Sequence, residues 1–255
     1  MIESSQPPFC QTDVASSTVF NEHYSSVMAR YPDGYFDIAT CDIPYGIGVG
    51  KMAYLKEVKT TVRQKNGTKL NGNRKKEVYT QKEWDKEPPT QSYFDELRRV
   101  SKHQIIFGID YVNWEGVGNG RIKWDKGVAD GMSFNRYETA YCSLIEDTWE
   151  LPLLWAGMCQ AKSLSEPMTQ QGNKKLNEKR IHPCHKPVML YDAIYLRFGF
   201  EGMKVIDTHL GGGSNRISCN KLNYEFVAAE IDKEYFDKQE KRYRSHVSKL
   251  RFANW

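Results

Sequence analysis

Asp42, Ile43, Pro44 and Tyr45 bring a carboxylate, a backbone carbonyl, a rigid corner and an aromatic ring together within one short stretch. They follow an apolar run, residues 35–41, that reads as a buried strand, and they precede Gly46, Gly48 and Gly50. Such a corner suits a flat ring bearing an amine. Asp42 and the carbonyl of Ile43 can each accept an N–H, Pro44 has a fixed φ and no N–H, and Tyr45 offers a π-face for stacking. Ordinary turn chemistry also places Asp, Pro and Tyr after a strand, so the corner alone leaves both readings open.

A second group lies towards the C-terminus. Residues 203–207 read as a strand ending on Asp207, followed by Gly211-Gly212-Gly213-Ser214, a helix over 215–222 and a strand over 224–230 ending on Glu230. A glycine-rich turn between strand and helix lets backbone N–H groups approach a ligand closely, and an acid closing the next strand can accept ribose hydroxyls. The spacing departs from G-x-G-x-x-G, which disfavours a dinucleotide. Asp207 suits a cationic amino-acid group better than a pyrophosphate, and S-adenosylmethionine carries both that group and a ribose. The plainer alternative is glycines that serve only close helix–strand packing.

The third group is His182-Pro183-Cys184-His185-Lys186-Pro187. Two histidines and a cysteine raise a metal site, but the prolines hold the segment extended and no second ligand pair stands at a zinc spacing. A rigid strap leading into a helix over 188–198, lining a pocket with its backbone and Lys186, is the expectation, with no metal.

These groups need a scaffold, and the chain of 255 residues suits one α/β domain over 1–255. Strand-like and helix-like segments alternate, which argues for a mostly parallel sheet with helices on both faces. A helix is expected over 93–100, and strands over 104–108 and 139–145, with 122–126 leading into the latter. Hydrophobic content of 40% and charged content of 27% are globular values. A net charge of +4 is too small to diagnose a nucleic-acid partner, so local charge must carry that argument. Six scattered cysteines without a C-x-x-C pair, no leader pattern and no apolar run of membrane-spanning length imply a reduced, cytoplasmic protein without membrane association. Two polar, basic stretches, 51–88 and 160–181, exceed ordinary connections and read as functional loop insertions or as solvated surface excursions.

Taken together, the motifs resemble the β-group DNA amino-methyltransferases. That family shows D-P-P-Y, Q-I-I-F-G, W-D-K, H-P-x-x-K-P and D-x-x-x-G-x-G-S/T in this order. Here the places are held by Asp42 to Tyr45, Gln104 to Gly108, Trp124 to Lys126, His182 to Pro187 and Asp207 to Ser214. The resemblance implies a Rossmann-like methyltransferase fold and methyl transfer from S-adenosylmethionine to the N6 amine of a flipped-out adenine in DNA. Asp42, Ile43, Pro44 and Tyr45 would be catalytic. His182, Lys186, Pro187, Asp207, Thr208, Gly211, Gly213, Ser214 and Glu230 would hold the cofactor. Three places depart from the pattern: Ile43 replaces a proline but keeps its carbonyl, Thr208-His209 replaces Pro-Phe, and Cys184 stands where Thr is common.

The rivals are N4 of cytosine as acceptor, RNA or a protein glutamine as acceptor, and, from another class, a DNA-binding protein with a vestigial catalytic fold. Asp rather than Ser at the first corner position leans towards adenine in this family. Dimers are frequent in it, though no residue here settles that. Lys51, Lys56, Lys59, Arg63, Lys65, Arg74, Lys75 and Lys76 in the first insertion, and Lys174, Lys175, Lys179 and Arg180 in the second, are the candidate DNA contacts. Deleting residues 58–76 is expected to weaken DNA binding in a salt-dependent titration far more than S-adenosylmethionine binding. Equal loss of both would assign the segment a folding role instead.

Overall fold

Strand β2 (Phe36–Asp42) is buried along most of its length on both faces, a pattern that only the middle of a helix-covered sheet satisfies. The computed structural model describes residues 15–48, 61–63, 69–71, 85–129, 135–170 and 172–253. After β1 (Ser17–Phe20), the short helix α1 (Tyr24–Met28) leads towards β2, and helix α2 (Gln91–Val100) follows it. Between them lies a hairpin of β3 (Thr61–Arg63) and β4 (Lys69–Asn71). Strands β5 (Ser101–Phe107), β6 (Arg121–Asp125), β7 (Tyr137–Cys142) and β8 (Thr148–Pro152) come next, with a small hairpin of β9 (Trp155–Ala156) and β10 (Cys159–Gln160). Helix α3 (Val188–Phe198), β11 (Lys204–Asp207), α4 (Ser214–Lys221), β12 (Glu225–Ala229) and α5 (Lys233–Ala253) complete the chain.

The main sheet runs β1-β12-β11-β2-β5-β7-β6-β8. The five strands from β1 to β5 in this order are parallel, and β7 lies antiparallel to both its neighbours. From β2 the chain crosses by α2 to β5 on one side, while from β11 it crosses by α4 to β12 on the other. The order therefore reverses between β11 and β2, and a crevice opens at their carboxyl ends. Asp42 and Asp207 end those two strands, and Glu230 follows the end of β12. The topology thus gathers residues far apart in sequence at one edge.

Side chains alternate between two cores. Val205, Phe226, Ala228, Ile105 and Phe107 pack with α3 through Leu190, Tyr191, Ile194 and Tyr195. Ile206, Val227, Ala229 and Ile106 pack with α1 and α2 through Met28, Phe94 and Leu97. Helix α2 reads QSYFDELRRV, and its buried residues Tyr93, Phe94, Leu97 and Val100 fall on one stripe. Arg98 and Arg99 in its last turn complement the helix dipole. Arg99 also ties the α1–β2 connection down through Asp33 and the carbonyls of Met28 and Tyr31.

The expected helix over 188–198 is present with the same bounds, and the strand–glycine loop–helix–strand unit is present with shifts of one residue at its ends. Strand β5 begins three residues earlier than its apolar core suggests, because the chain leaves α2 and enters the sheet without a loop. Strand β8 was not foreseen. Its alternating TWELP pattern is short, and parallel pairing with β6 rather than its own periodicity makes it a strand. Among the described residues no helix is long and apolar enough to cross a membrane. Leu97 is fully buried, so Leu97→Ala is expected to lower the unfolding free energy by about 2–5 kcal/mol, measured by urea denaturation. A loss below about 1 kcal/mol would mean that the α2 face collapses around the void.

Candidate active site

At the carboxyl end of β2 the chain turns at Ile43-Pro44, and Asp85 fixes the turn. Its Oδ1 accepts the N–H groups of Tyr45 at 2.8 Å and Gly46 at 2.9 Å. Its carbonyl accepts the N–H of Gly48 at 3.2 Å. The corner thus rests on a carboxylate from the far end of the first basic stretch. Gly108 forms the floor: its φ of +89° lies in the left-handed region, and a Cβ there would stand 2.3 Å from the Tyr45 ring. Both constraints explain the glycine after β5.

Tyr45 stacks on Tyr111, with centroids 4.7 Å apart and planes 11° from parallel. Its hydroxyl lies 3.0 Å from Asp42 Oδ1 and 2.7 Å from Glu138 Oε1. Lys186 Nζ sits 2.5 Å from each of the same two oxygens and 3.1 Å from the Tyr45 hydroxyl. Lys126 Nζ approaches the other oxygen of Glu138 at 3.5 Å. Burial and the neighbouring Glu138 charge push the Asp42 carboxyl up against the pull of Lys186. Burial acts the same way on Glu138, but Lys186 and Lys126 outweigh it and hold Glu138 down at about 2. Burial would lower Lys186, and the two carboxylates reverse that, so its ammonium stays charged.

The strap carrying Lys186 is braced from behind. Glu178 accepts from His185 Nε2 at 3.0 Å, from the Val188 N–H at 3.0 Å and from Arg242 of α5. It thereby caps the first turn of α3, a role that local capping residues usually fill. Burial favours the neutral acid there, but His185, Arg242 and the Val188 N–H keep Glu178 ionised. Ser214 Oγ lies 3.1 Å from His185 Nε2, which joins the strap to the glycine loop. A Cβ on Gly212 would stand 2.3 Å from His185, so the loop can lie against the strap only with glycine at that position. Glu230 closes the far side, accepting from the N–H groups of Gly211 at 2.8 Å and Asp232 at 2.8 Å.

Together these walls enclose a cavity of about 320 Å³. Asp42, Ile43, Pro44 and Tyr45 line one end, and His182, Lys186, Thr208, Gly211, Ser214 and Glu230 line the rest. Burial depresses His182 and His209 to about 3, so both face the cavity as neutral imidazoles. The His182–Pro187 segment turns its histidines inward, His182 Nδ1 to the Cys184 N–H at 3.2 Å and His185 to Glu178. No group of three metal-ligating side chains converges among the described residues.

Three of the expected cofactor residues stand behind the cavity rather than in it. Asp207 is 1% exposed, and its carboxylate accepts from Asn215 Nδ2 and the His209 N–H, both at 3.0 Å. Burial raises its pKa to about 7. From this position it secures the loop from within. Gly213 ends the loop against Gln239 of α5, and Pro187 faces a second groove beside Trp155. Thr208 reaches the cavity, but its hydroxyl is bonded to Tyr93 at 2.6 Å.

Among the basic candidates, Lys51, Lys56, Lys59, Lys65, Arg74, Lys75 and Lys76 lie outside the described residues. Arg63 lies in β3 and Lys174 in a 3₁₀ turn, where only the backbone is described. Lys175 and Lys179 are exposed. Arg180 packs its guanidinium 4.4 Å from the Trp155 ring centre. Sequence reasoning missed Asp85, Tyr111, Glu138 and Glu178. Each acts across a long sequence separation, and only Glu138, an acid at the start of a strand otherwise rich in apolar residues, left a local trace.

Comparison with known proteins places this geometry in context. A family model described as DNA methylase, of the N6/N4 type, matches residues 50–241. Type II methyltransferase M.HpaI of Haemophilus parainfluenzae is 33% identical over 70 residues, which is 28% of this chain and 22% of that relative's length. The match to this curated relative thus spans about a fifth of it. Among solved structures, M1.HpyAVI in complex with SAM superposes with a TM-score of 0.51 at 14% identity, covering 89% of this chain and 99% of that one. The likeness is one of fold. PvuII DNA methyltransferase, described as cytosine-N4-specific, gives 0.49 at 10% identity, covering 90% and 87%.

Gly108→Ala is expected to displace Tyr45, since both the backbone conformation and the ring contact oppose a Cβ. The expected outcome is a loss of about 1–3 kcal/mol of stability in denaturant unfolding, with altered near-ultraviolet tyrosine signals. Unchanged stability and signals would contradict this account of the corner.

Proposed function

The chain belongs to the N6/N4 DNA methylase family, and from that premise we propose that it transfers a methyl group from S-adenosylmethionine to the N6 amine of a flipped-out adenine in DNA. The observation that carries this reading is the Asp42–Tyr45 corner opening into the same cavity as the glycine loop and Glu230. The cavity suits the cofactor. The Gly211–Gly212 backbone comes close on one side, and Glu230 stands at the end of β12 with Ile231 and Tyr235 beside it as apolar cover. His182 adds a neutral, flat wall. S-adenosylmethionine supplies the methyl group on an electrophilic sulfonium.

The residues of the corner perform the rest. An aromatic amine is a weak nucleophile because its lone pair is delocalised into the ring. Asp42 and the Ile43 carbonyl each accept one of its N–H groups and draw the nitrogen towards tetrahedral geometry. The lone pair then forms the N–C bond, the S–C electron pair leaves with sulfur, and a proton passes from nitrogen to the Asp42 carboxylate. Positioning and electrostatics carry the step without a covalent enzyme intermediate. Tyr45, whose ring already takes a parallel partner in Tyr111, provides the stacking platform for the base. Lysines and arginines of the two insertions supply phosphate contacts.

N4 of cytosine presents the same amine geometry and is the second reading. The Asp at the head of the corner supports adenine. Asp42→Ala is expected to reduce methyl transfer to DNA of mixed sequence by at least about 10³-fold, with S-adenosylmethionine affinity changed little. Mass spectrometry of the digested product distinguishes N6-methyladenine from N4-methylcytosine. Retained activity in the variant, or no methylated base with the native chain, would overturn the proposal.

A further inference from the structure

Glu138 belongs to none of the sequence motifs that mark the site, yet it contacts both the ammonium of Lys186 and the Tyr45 hydroxyl that lie against Asp42. It is the second residue of strand β7 and pairs with Trp124 of β6, so the backbone ladder between these strands fixes its position. One carboxylate oxygen receives both Lys186 Nζ and the Tyr45 hydroxyl, and the other faces Lys126. Lys186 and Tyr45 contact Asp42 Oδ1 in the same way. Two acids thus share one ammonium and one phenol hydroxyl, with Asp42 in the lining of the cavity and Glu138 outside that lining.

That sharing matters when an amine arrives. Both donors already occupy Asp42 Oδ1, and a substrate N–H accepted by this oxygen must compete with them. An ammonium displaced from its only carboxylate in a buried site would be left uncompensated, at high cost. Lys186 has a second carboxylate already within hydrogen-bond distance. We propose that Glu138 is a positioning residue that takes over Lys186 and the Tyr45 hydroxyl as the target amine engages Asp42, and so leaves Asp42 free to accept it. This rests on the methyl-transfer reading above and adds to it a residue that never touches the substrate.

Two further effects follow from the same geometry. Glu138 holds the Tyr45 hydroxyl at 2.7 Å, which fixes the plane on which the base stacks. Its negative charge also raises the proton affinity of Asp42, which favours proton uptake from the methylated nitrogen. Other groups face Asp42 as well: Cys184 from the strap, Tyr191 from α3 and Asp207 from β11. Burial keeps the Cys184 thiol and the Tyr191 phenol protonated. Asp207 responds to burial, Asn215, the His209 N–H, Asp42 and Glu230. A pH limb governed by Asp207 would therefore stay in place when Glu138 is changed.

The test compares the full native chain with Glu138→Gln and Glu138→Asp, using mixed-sequence DNA and S-adenosylmethionine. In Glu138→Gln, kcat is expected to fall at least tenfold while the Kd for S-adenosylmethionine stays within about twofold. The acid limb of the kcat–pH profile should move to lower pH, because Asp42 loses the neighbouring negative charge and keeps Lys186. Glu138→Asp should recover part of kcat. Combined with Lys186→Met, Glu138→Gln should cost less than it does in the native chain, since part of its effect passes through Lys186. A Glu138→Gln chain with native kcat, or with reduced kcat and an unmoved acid limb, overturns the inference. If the native chain itself methylates no DNA, the functional reading fails first, so the two failures are distinguishable.

Discussion

One ammonium group, Lys186 Nζ, ties together three parts of the molecule that the chain builds separately. It comes from the strap before α3, it meets Asp42 at the end of β2, and it meets Glu138 at the start of β7. A buried cation between two carboxylates is tolerable only while all three stay within reach of one another. Removing one partner from such a group leaves a charge without compensation, at about 3–5 kcal/mol. The strap therefore cannot drift from the sheet without exposing that cost. The cavity has its shape because the strap forms one wall and the sheet edge another.

The opposite side of the strap follows the same rule with different residues. Glu178 gathers His185, Arg242 and the first N–H of α3, and through His185 and Ser214 it reaches the glycine loop. The loop meanwhile is closed from its other side by Glu230. What looks like a flexible glycine run is held between two carboxylates, one from the second insertion and one from β12. Its glycines serve close approach, to His185 in particular, more than looseness.

The fold was legible where periodicity and punctuation coincide. The strand–loop–helix–strand unit from Lys204 to Ala229 and helix α3 follow from apolar runs, glycines and prolines in sequence. The short outer strands β1 and β8 have too few residues to show a period, and pairing across the sheet decides them. Within the site, Asp42, Tyr45 and Glu230 stood out because each ends or follows a strand. Asp207 stood out for the same reason, but the pleat turns its side chain to Asn215 of α4, which no strand-end rule foresees. Glu178 and Asp85 were invisible, because their side-chain partners lie 7 to 64 and 39 to 40 residues away and no local pattern encodes such pairings, and the pairing of Glu138 with Tyr45, 93 residues away, was equally hidden.

The clamp made by Asp85 has a consequence for how such a protein can change over generations. Its side chain and carbonyl receive the N–H groups of Tyr45, Gly46 and Gly48, so the chain before residue 49 is pinned to the chain after residue 84. The two ends of the segment between Gly48 and Asp85 are thereby held together. For a closed excursion, closure entropy grows only with the logarithm of length, about 0.6 kcal/mol per doubling. Segments of quite different size and composition can therefore be exchanged at this doorway while the reacting corner beside it keeps its geometry. Change within that segment is thereby separated, by three hydrogen bonds, from the geometry of the corner.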